Sequence, residues 1–475
     1  MTHRDPVAAA ADAAAPAASA SRARRAAWLD ALATMLERNR EELVAIAAEE
    51  THLTAARLDG EVTRTAAQLR FFAEVVLDGS YLEATIDTAD DTRTPPRPDL
   101  RRILRPIGPV GVFAASNFPF AFSVLGNDTA SALAAGCPVV VKAHPGHPRL
   151  SRRVAELSRL GLVEAGAPEG LLGMVQGMEE GVALVRHPAI RAIGFTGSTT
   201  GGRALFDLAS ARPAPIPFYG ELGSINPVVV TEDAARARAE SIATGLVGSF
   251  TRDGGQYCTK PGLVFIPDTD AGELLLSALS DHLALAPSQA LLTEQMTTAF
   301  DDHLDAADLG EDDVLRGYAT DEGTAPIIIT IDMEQFLSRP EYFAEECFGP
   351  LTVVVRYHDR LDLPHALESI EGSLTATLHM EPSDDVTALV DQLTARVGRV
   401  IFNGWPTGVA IAWSQHHGGP WPATTASVHT SVGASAIRRF LTPTVYQDCP
   451  PRLLPPELSD DSDIPRRIDG ILVLP

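Results

Sequence analysis

Between residues 22 and 78 apolar side chains recur at three- and four-residue steps, as in Trp28, Leu29, Leu32 and Leu36. This spacing predicts amphipathic helices whose Arg- and Glu-rich intervals face water. The texture changes near Arg101. Val110–Ala114 and Pro138–Lys142 have the pattern of buried strands, separated by a small-residue helix over Ser123–Ala135 that Gly136 ends. A helix over Leu150–Glu164 stops at Gly166. Strands at Arg191–Phe195 and Pro215–Phe218 bracket a helix over Thr199–Ala209. Such alternation predicts an α/β fold: a parallel sheet with helices on both faces.

The pattern restarts after Glu221. Asn226–Val230 and Pro261–Ile266 suit strands; Glu232–Gly248 and Ala271–His282 suit helices. Pro326–Ile331, Leu351–Tyr357 and Arg399–Phe402 suit strands of a second α/β layer. Residues 285–324 are acidic and receive no element. The first 20 residues are Ala-rich and carry Pro16, and they are expected to be disordered or frayed. The tail from 448 is rich in Pro and Asp and is expected to wrap a neighbour or dangle.

The chain has 475 residues, enough for two or three domains, and 45% of them are hydrophobic. The formal charge is −24, which argues against nucleic acid or an anionic membrane surface as a partner. No apolar run is long enough to span a membrane, and the N-terminus lacks the pattern of a signal peptide. Cys137, Cys258, Cys347 and Cys449 form no CxxC pair, so neither a zinc site nor a disulfide framework is expected. A reducing cytoplasm fits this usage.

The chemistry gathers on three side chains. Cys258 follows Gly254-Gly255-Gln256-Tyr257, an approach that lets backbone pass close to a ligand. A lone cysteine is more often a small buried hydrophobe than a nucleophile, so the neighbours decide. Glu221 lies between glycines at the end of a strand-like run. It can be a turn residue, or the base that activates water to hydrolyse a thioester. Asn117, before Phe118-Pro119, can close a local turn or donate an amide N–H to an alkoxide. A thiol, a carboxylate and an amide together suit aldehyde oxidation through a thioester.

Weaker signals surround them. Phe195-Thr196-Gly197-Ser198-Thr199 leads from strand to helix, where backbone N–H groups can meet a pyrophosphate. Lys142 ends a buried strand, the side of an α/β sheet where ligands bind. In Glu346-Cys347-Phe348-Gly349-Pro350 the carboxylate can hold ribose hydroxyls, with Phe348 against a ring. Arg252 is a candidate fork for a substrate carboxylate, although a surface pair with Asp253 is the commoner fate of such an arginine. Phe120 is a second candidate substrate contact.

Taken in order, these segments resemble the aldehyde dehydrogenase superfamily from about residue 22 to about residue 470. Ala115–Pro119, Lys142–Pro145, Gly220–Pro227, His417–Thr425 and Thr430–Gly433 are similar to the group that acts on 2-oxoglutarate semialdehyde and to its fatty-aldehyde relatives. The resemblance implies a cofactor domain over 21–222, a catalytic domain over 223–415, and a C-terminal return that joins subunits over 416–475. It implies a Rossmann-like cofactor sheet, a small antiparallel extension and a homodimer or homotetramer. It makes Cys258 the nucleophile, Glu221 the base and Asn117 the oxyanion donor. Lys142, His144, Gly197, Ser198, Glu346 and Phe348 would meet the cofactor. NAD-preferring members commonly carry Glu where this chain has Pro145, so NADP is expected, with NAD accepted. The implied reaction is oxidation of 2-oxoglutarate semialdehyde; a long-chain fatty aldehyde is the other substrate, and a non-catalytic binding protein the other class. Asn127, where relatives usually have Gly, and Arg252-Asp253 depart from the pattern.

Overall fold

The computed structural model describes residues 5–306, 310, 313–320, 323–359 and 361–475. The Ala-rich start is ordered, which corrects the expectation of disorder for residues 5–20; residues 1–4 lie outside the described residues. Pro6–Ala18 form helix α1, opened by the Asp5 carboxylate accepting from the Val7 and Ala8 N–H groups. Val7, Ala10, Ala13 and Ala17 share its buried face. Small side chains at that spacing let the helix backbone approach Gly170, where any Cβ would overlap the Ala9 carbonyl. Alanine is both a strong helix former and a close-packing residue here.

Three more helices follow: α2 (Arg22–Arg38), α3 (Arg40–Thr51) and α4 (Ala55–Asp78). Ser21 and Thr54 hydroxyls cap α2 and α4, and Gly79 ends α4 at φ +76°. Trp28, Leu29, Leu32 and Leu36 are buried, as their spacing predicts.

Two sheets, the first parallel throughout and the second parallel except at one edge, carry the rest of the α/β body. The first has the order β5-β4-β3-β6-β7, from β3 (Val110–Phe113), β4 (Val139–Lys142), β5 (Leu172–Val175), β6 (Ala192–Thr196) and β7 (Phe218–Glu221). All its pairings are parallel. Helices α5 (Asn127–Ala135), α6 (Pro148–Glu164), α7 (Met178–Arg186) and α8 (Thr199–Ser210) cover it. The strand expected at Pro215–Phe218 starts three residues later. Pro213, Pro215 and Pro217 have no N–H to give a ladder, so pairing begins beyond them and Glu221 becomes the last strand residue.

The second sheet has the order β10-β11-β12-β9-β8-β13-β14. Its strands are β8 (Pro227–Val230), β9 (Leu263–Pro267), β10 (Val314–Arg316), β11 (Ile327–Asp332), β12 (Leu351–Tyr357), β13 (Ser373–His379) and β14 (Val397–Phe402). Helices α9 (Glu232–Phe250) and α10 (Asp270–Leu283) pack on it. The acidic stretch left unassigned contains α11 (Glu294–Asp305) and β10, which pairs antiparallel at the sheet edge; residues 307–309, 311–312 and 321–322 of it lie outside the described residues. Strand β13 escapes the sequence because its buried positions include Thr375 and Thr377, which break the apolar run.

A third, mostly antiparallel sheet has the order β15-β2-β1-β16-β17. It joins β1 (Thr85–Asp87) and β2 (Leu100–Pro106) to β15 (Leu441–Gln447), β16 (Arg466–Ile468) and β17 (Ile471–Val473). The tail therefore returns onto its own chain rather than dangling.

Candidate active site

Cys258 lies in the turn before β9. Its approach is unusual backbone: Asp253, Gly254 and Gly255 all have positive φ, at +48°, +69° and +68°. Glycine suits the last two. At Gly255 a Cβ would also overlap the Gly349 carbonyl, so the pair of glycines is needed for the turn to close. The far side of the thiol is fixed by Asn226, whose Nδ2 donates to the carbonyls of Cys258 (2.8 Å) and Lys260 (3.0 Å).

Glu221, buried at the end of β7, faces Cys258 through His417. The His417 Nε2 is 2.9 Å from Glu221 Oε1 and 3.5 Å from Cys258 Sγ. A carboxylate only accepts, so Nε2 carries the proton; Nδ1 is buried without a hydrogen-bond partner. The Ser431 hydroxyl donates to Glu221 Oε2 at 2.6 Å. Burial raises the Glu221 carboxyl, but His417 and then Ser431 and Cys258 outweigh it and hold it below the ordinary value. Burial pushes the Cys258 thiol well up, and the Glu221 carboxylate adds to the push. At rest these shifts keep the proton on the Cys258 sulfur and leave Glu221 charged.

The C-terminal return builds this contact. Leu222 N–H donates to Ala423 at 2.8 Å and Thr425 N–H to Gly220 at 3.0 Å, so residues 423–425 run along β7. Gly418 and Gly419 let it press against His429 and Ser373, where side chains would collide. Asn127, in the first turn of α5, donates to the Ser431 carbonyl. The departure from glycine therefore has a local partner, and it steadies the residue that holds Glu221.

Asn117 follows β3. Its Nδ2 donates to the Gln256 carbonyl at 2.8 Å, which leaves a second N–H near the cysteine turn. Arg57 ties these parts together: its guanidinium reaches Glu61 (2.6 Å), Asp253 (2.7 Å) and the Asn117 carbonyl (3.4 Å), and stacks 4.7 Å from the Phe118 ring. A cavity of about 350 Å³ opens beside Cys258, lined by Arg57, Arg64, Phe118, Phe122, Arg252 and His417 among others. Arg252 is exposed on its rim. Asp253, the partner expected for it, is instead engaged by Arg57 and by the Tyr257 hydroxyl at 2.7 Å. Phe120 is corrected: it is 2% exposed in the core and absent from the cavity wall. The chain turns here, with the Phe122 N–H donating to the Phe118 carbonyl at 3.2 Å, so Phe118 and Phe122, their rings 5.5 Å apart, line the cavity instead.

Of the other expected residues, Lys142, His144, Gly197 and Ser198 lie at the carboxyl edge of the first sheet, and Glu346 and Phe348 come from the turn before β12. Strand order reverses around β3, which makes that edge a ligand crevice of an open α/β sheet. Lys142 ends β4 and Gly197 follows β6. Ser198 caps α8, accepting from Gly201 N–H at 3.3 Å. Burial lowers the Lys142 ammonium. It drives His144 to about 3, so that ring is uncharged; its Nδ1 accepts from Gly146 N–H at 3.0 Å. Glu346 accepts from Ser224 N–H at 3.2 Å, and burial pushes its carboxyl up. Phe348 is half-buried. These residues fit a dinucleotide: a strand-edge lysine, a helix N-terminus with a glycine before it, and a carboxylate on the same rim.

Sequence reasoning placed His417, Ser431 and Asn226 in segments that carry the resemblance but gave them no role, and it passed over the Arg57–Glu61–Arg64 face of α4. Only the His417-Gly418-Gly419 run offered a signal, since paired glycines after a histidine mark close backbone approach.

Comparison with known proteins agrees with this geometry. The model of the aldehyde dehydrogenase family matches residues 3–298. "Alpha-ketoglutaric semialdehyde dehydrogenase 2" of Azospirillum brasilense is 46% identical over 462 residues, covering 94% of this chain and 87% of that one. "Alpha-ketoglutaric semialdehyde dehydrogenase" of Acinetobacter baylyi is 42% identical over 457 residues, with the same coverage of 94% and 87%. Among solved structures, a bifunctional proline utilization A protein superposes with a TM-score of 0.79 at 26% identity, over 94% of this chain and 45% of that longer one. An E. coli NADP-dependent enzyme shares the fold at 22% identity and a TM-score of 0.78, covering 93% and 89% of the two chains. The chain belongs to the aldehyde dehydrogenase family, and it is an NAD(P)-dependent aldehyde oxidoreductase.

Proposed function

We propose that the protein oxidises 2-oxoglutarate semialdehyde to 2-oxoglutarate, with NADP as the preferred cofactor. The observation that carries the chemistry is the Glu221–His417–Cys258 contact, in which a hydrolytic base and a thiol share one imidazole N–H. The two semialdehyde dehydrogenases above support the substrate.

In this reading Glu221 takes the Cys258 proton only as the sulfur attacks, since at rest the proton stays on sulfur, and the His417 Nε2–H faces the sulfur as it loses that proton. The sulfur bonds to the aldehyde carbon, and the carbonyl π electrons move to oxygen. The free Asn117 N–H and the Cys258 backbone N–H receive that alkoxide, a contribution of roughly 3–4 kcal/mol for a well-placed donor. Lys142, Gly197, Ser198 and Glu346, with Phe348 beside them, would hold an oxidised nicotinamide, which would accept the hydride lost from the former aldehyde carbon as the C=O re-forms and leaves a thioester on Cys258. Glu221 gives its proton to solvent and then takes one from water. The hydroxide adds to the thioester, the C–S bond breaks, and Cys258 recovers a proton from Glu221. An acyl-transferring reductase has no need of that base.

Pro145 supports NADP, because no carboxylate stands there to repel a 2′-phosphate. Lys142 is the cation for it, since His144 is uncharged. A homodimer is supported by β17, an edge strand whose Ile471, Leu472 and Val473, with Leu474, are exposed. A reducing cytoplasm suits the free thiols.

Initial rates of cofactor reduction test the reading, with 2-oxoglutarate semialdehyde and a long-chain aldehyde, each with NADP and NAD. A kcat/KM in favour of the semialdehyde with NADP is expected. Preference for the long-chain aldehyde overturns the substrate, and preference for NAD overturns the cofactor.

A further inference from the structure

The cavity beside Cys258 holds a cation that the protein itself leaves incomplete. Arg57, Glu61 and Arg64 fall on one face of α4. Glu61 is fully engaged: Oε1 accepts from Phe120 and Ala121 N–H groups at 2.9 and 2.8 Å, and Oε2 from Arg57. Arg57 has two carboxylates. Arg64, which lines the cavity, has no carboxylate in ion-pair contact among the described residues; Glu61, already engaged, acts on it only from a distance. Its Nη1 donates to the Val409 carbonyl at 2.6 Å, and its Nε is buried without a partner. Across that loop Arg399 donates to Gly408 at 3.2 Å and Pro406 at 2.8 Å, and its Nε is likewise unpartnered. Residues 406–409 are thus gripped from two sides through neutral carbonyls.

A guanidinium taken out of water without a counter-charge is costly, and a ligand that completes it recovers that cost. In a chain with 62 acidic residues, the lack of a carboxylate at Arg64 is a specific arrangement. Nε and Nη2 have no hydrogen-bond partner among the described residues, so the fork keeps donors that a carboxylate can satisfy.

We propose that Arg64 receives the remote carboxylate of an ω-oxo acid substrate while its aldehyde carbon lies at Cys258, so that Arg64 is a specificity-determining residue. This rests on the proposed substrate above and deepens it, for it moves the recognition from the exposed Arg252 to a cation inside the cavity. A neutral aldehyde of equal length leaves Arg64 unpaired, and discrimination follows from that unmet bond rather than from fit. Burial lowers Arg64 from the ordinary guanidinium value, and the Glu61 carboxylate only partly offsets this while Arg57 adds to it.

The test compares 2-oxoglutarate semialdehyde with pentanal, a neutral aldehyde of the same carbon count, in wild type, Arg64→Met, Arg64→Lys and Arg252→Ala. Arg64→Met is expected to raise KM for the semialdehyde roughly 10- to 150-fold, the worth of a hydrogen bond to a charged group, and to leave pentanal within about 3-fold. Arg64→Lys keeps the charge and loses the fork, so its KM falls between. It also decides the matter if the methionine variant does not fold. Equal losses on both aldehydes overturn the proposal, because a structural role or an effect on the thiolate moves both. A selective KM rise in Arg252→Ala with none at Arg64 overturns it as well. If the wild type does not prefer the semialdehyde, the proposed substrate fails first; if it does and Arg64 variants keep that preference, only this inference fails.

Discussion

Replacing His417 by asparagine removes the Nε2–H that both Glu221 and Cys258 face, at 2.9 and 3.5 Å. Glutamine places an amide N–H near the same point, whereas asparagine falls short. The pair therefore separates a hydrogen-bond donor from mere space-filling. Hydrogen bonds to charged groups contribute about 1.5–3 kcal/mol, and the oxygen that loses this one is buried. With about 1.4 kcal/mol per factor of ten, His417→Asn should lower kcat/KM by roughly 10- to 150-fold. His417→Gln should recover most of that loss. Ser431 still donates to the other carboxylate oxygen, which bounds the damage.

The sign with pH follows. His417 is the largest influence lowering the Glu221 carboxyl against the raising effect of burial. A lowered acid contributes stability above the ordinary carboxylate range, and that stability is lost as pH falls through the lowered value. Without His417 the carboxyl rises, so the acid limb of kcat moves to higher pH. The pre-steady-state burst of reduced cofactor reads acylation, and the following steady rate reads hydrolysis. A His417→Asn enzyme with wild-type burst, steady rate and acid limb would refute the assigned contact, and so would a glutamine variant no better than asparagine.

Glu221→Gln should cut steady turnover by roughly 100- to 10,000-fold, the usual weight of a general base. The same change removes the carboxylate that raises the Cys258 thiol, so iodoacetamide alkylation should begin at lower pH than in wild type; an unmoved alkylation profile counts against the pairing. Asn117→Ala should lower kcat by roughly 100- to 1,000-fold with little change in cofactor affinity, read by fluorescence titration. Ala10→Asp buries an unpaired carboxylate at a position that is 0% exposed and should cost roughly 3–5 kcal/mol. Ala11→Asp, on the exposed face of α1, should leave the melting temperature unchanged.

The sequence made the α/β alternation legible because buried strands such as Val139–Lys142 are short apolar runs between glycines and prolines. It also marked Cys258, Glu221 and Asn117 as candidates, since each lies within three residues of a glycine or proline where backbone bends. It marked the segments that hold His417 and Ser431 but could not reveal that they meet Glu221. They stand 196 and 210 positions from Glu221, and only the pairing of residues 423–425 with β7 brings them there. Arg64 was hidden for another reason. Its helix spacing assigns it a face, but whether that face meets water or a cavity depends on the loop at Val409, far along the chain. The Ala-rich start misled because composition alone suggested fraying, while the buried face of Val7, Ala10, Ala13 and Ala17 decides its order.

The net charge of −24 sets a last expectation. An anionic aldehyde approaches through a field that repels it, and only the cations lining the cavity act the other way. The field of distant surface charges is screened over about 10 Å at 0.1 M salt, while a bond to a guanidinium inside a cavity is screened far less. Added salt should therefore raise kcat/KM for 2-oxoglutarate semialdehyde, by easing its approach, and leave pentanal unchanged. If exposed Arg252 were the recognition element, salt would weaken that contact along with the repulsion, and kcat/KM would fall. A rise for the anion alone places the recognition inside the protein. A fall places it on the rim, and a change shared by pentanal removes electrostatics from the account of specificity altogether.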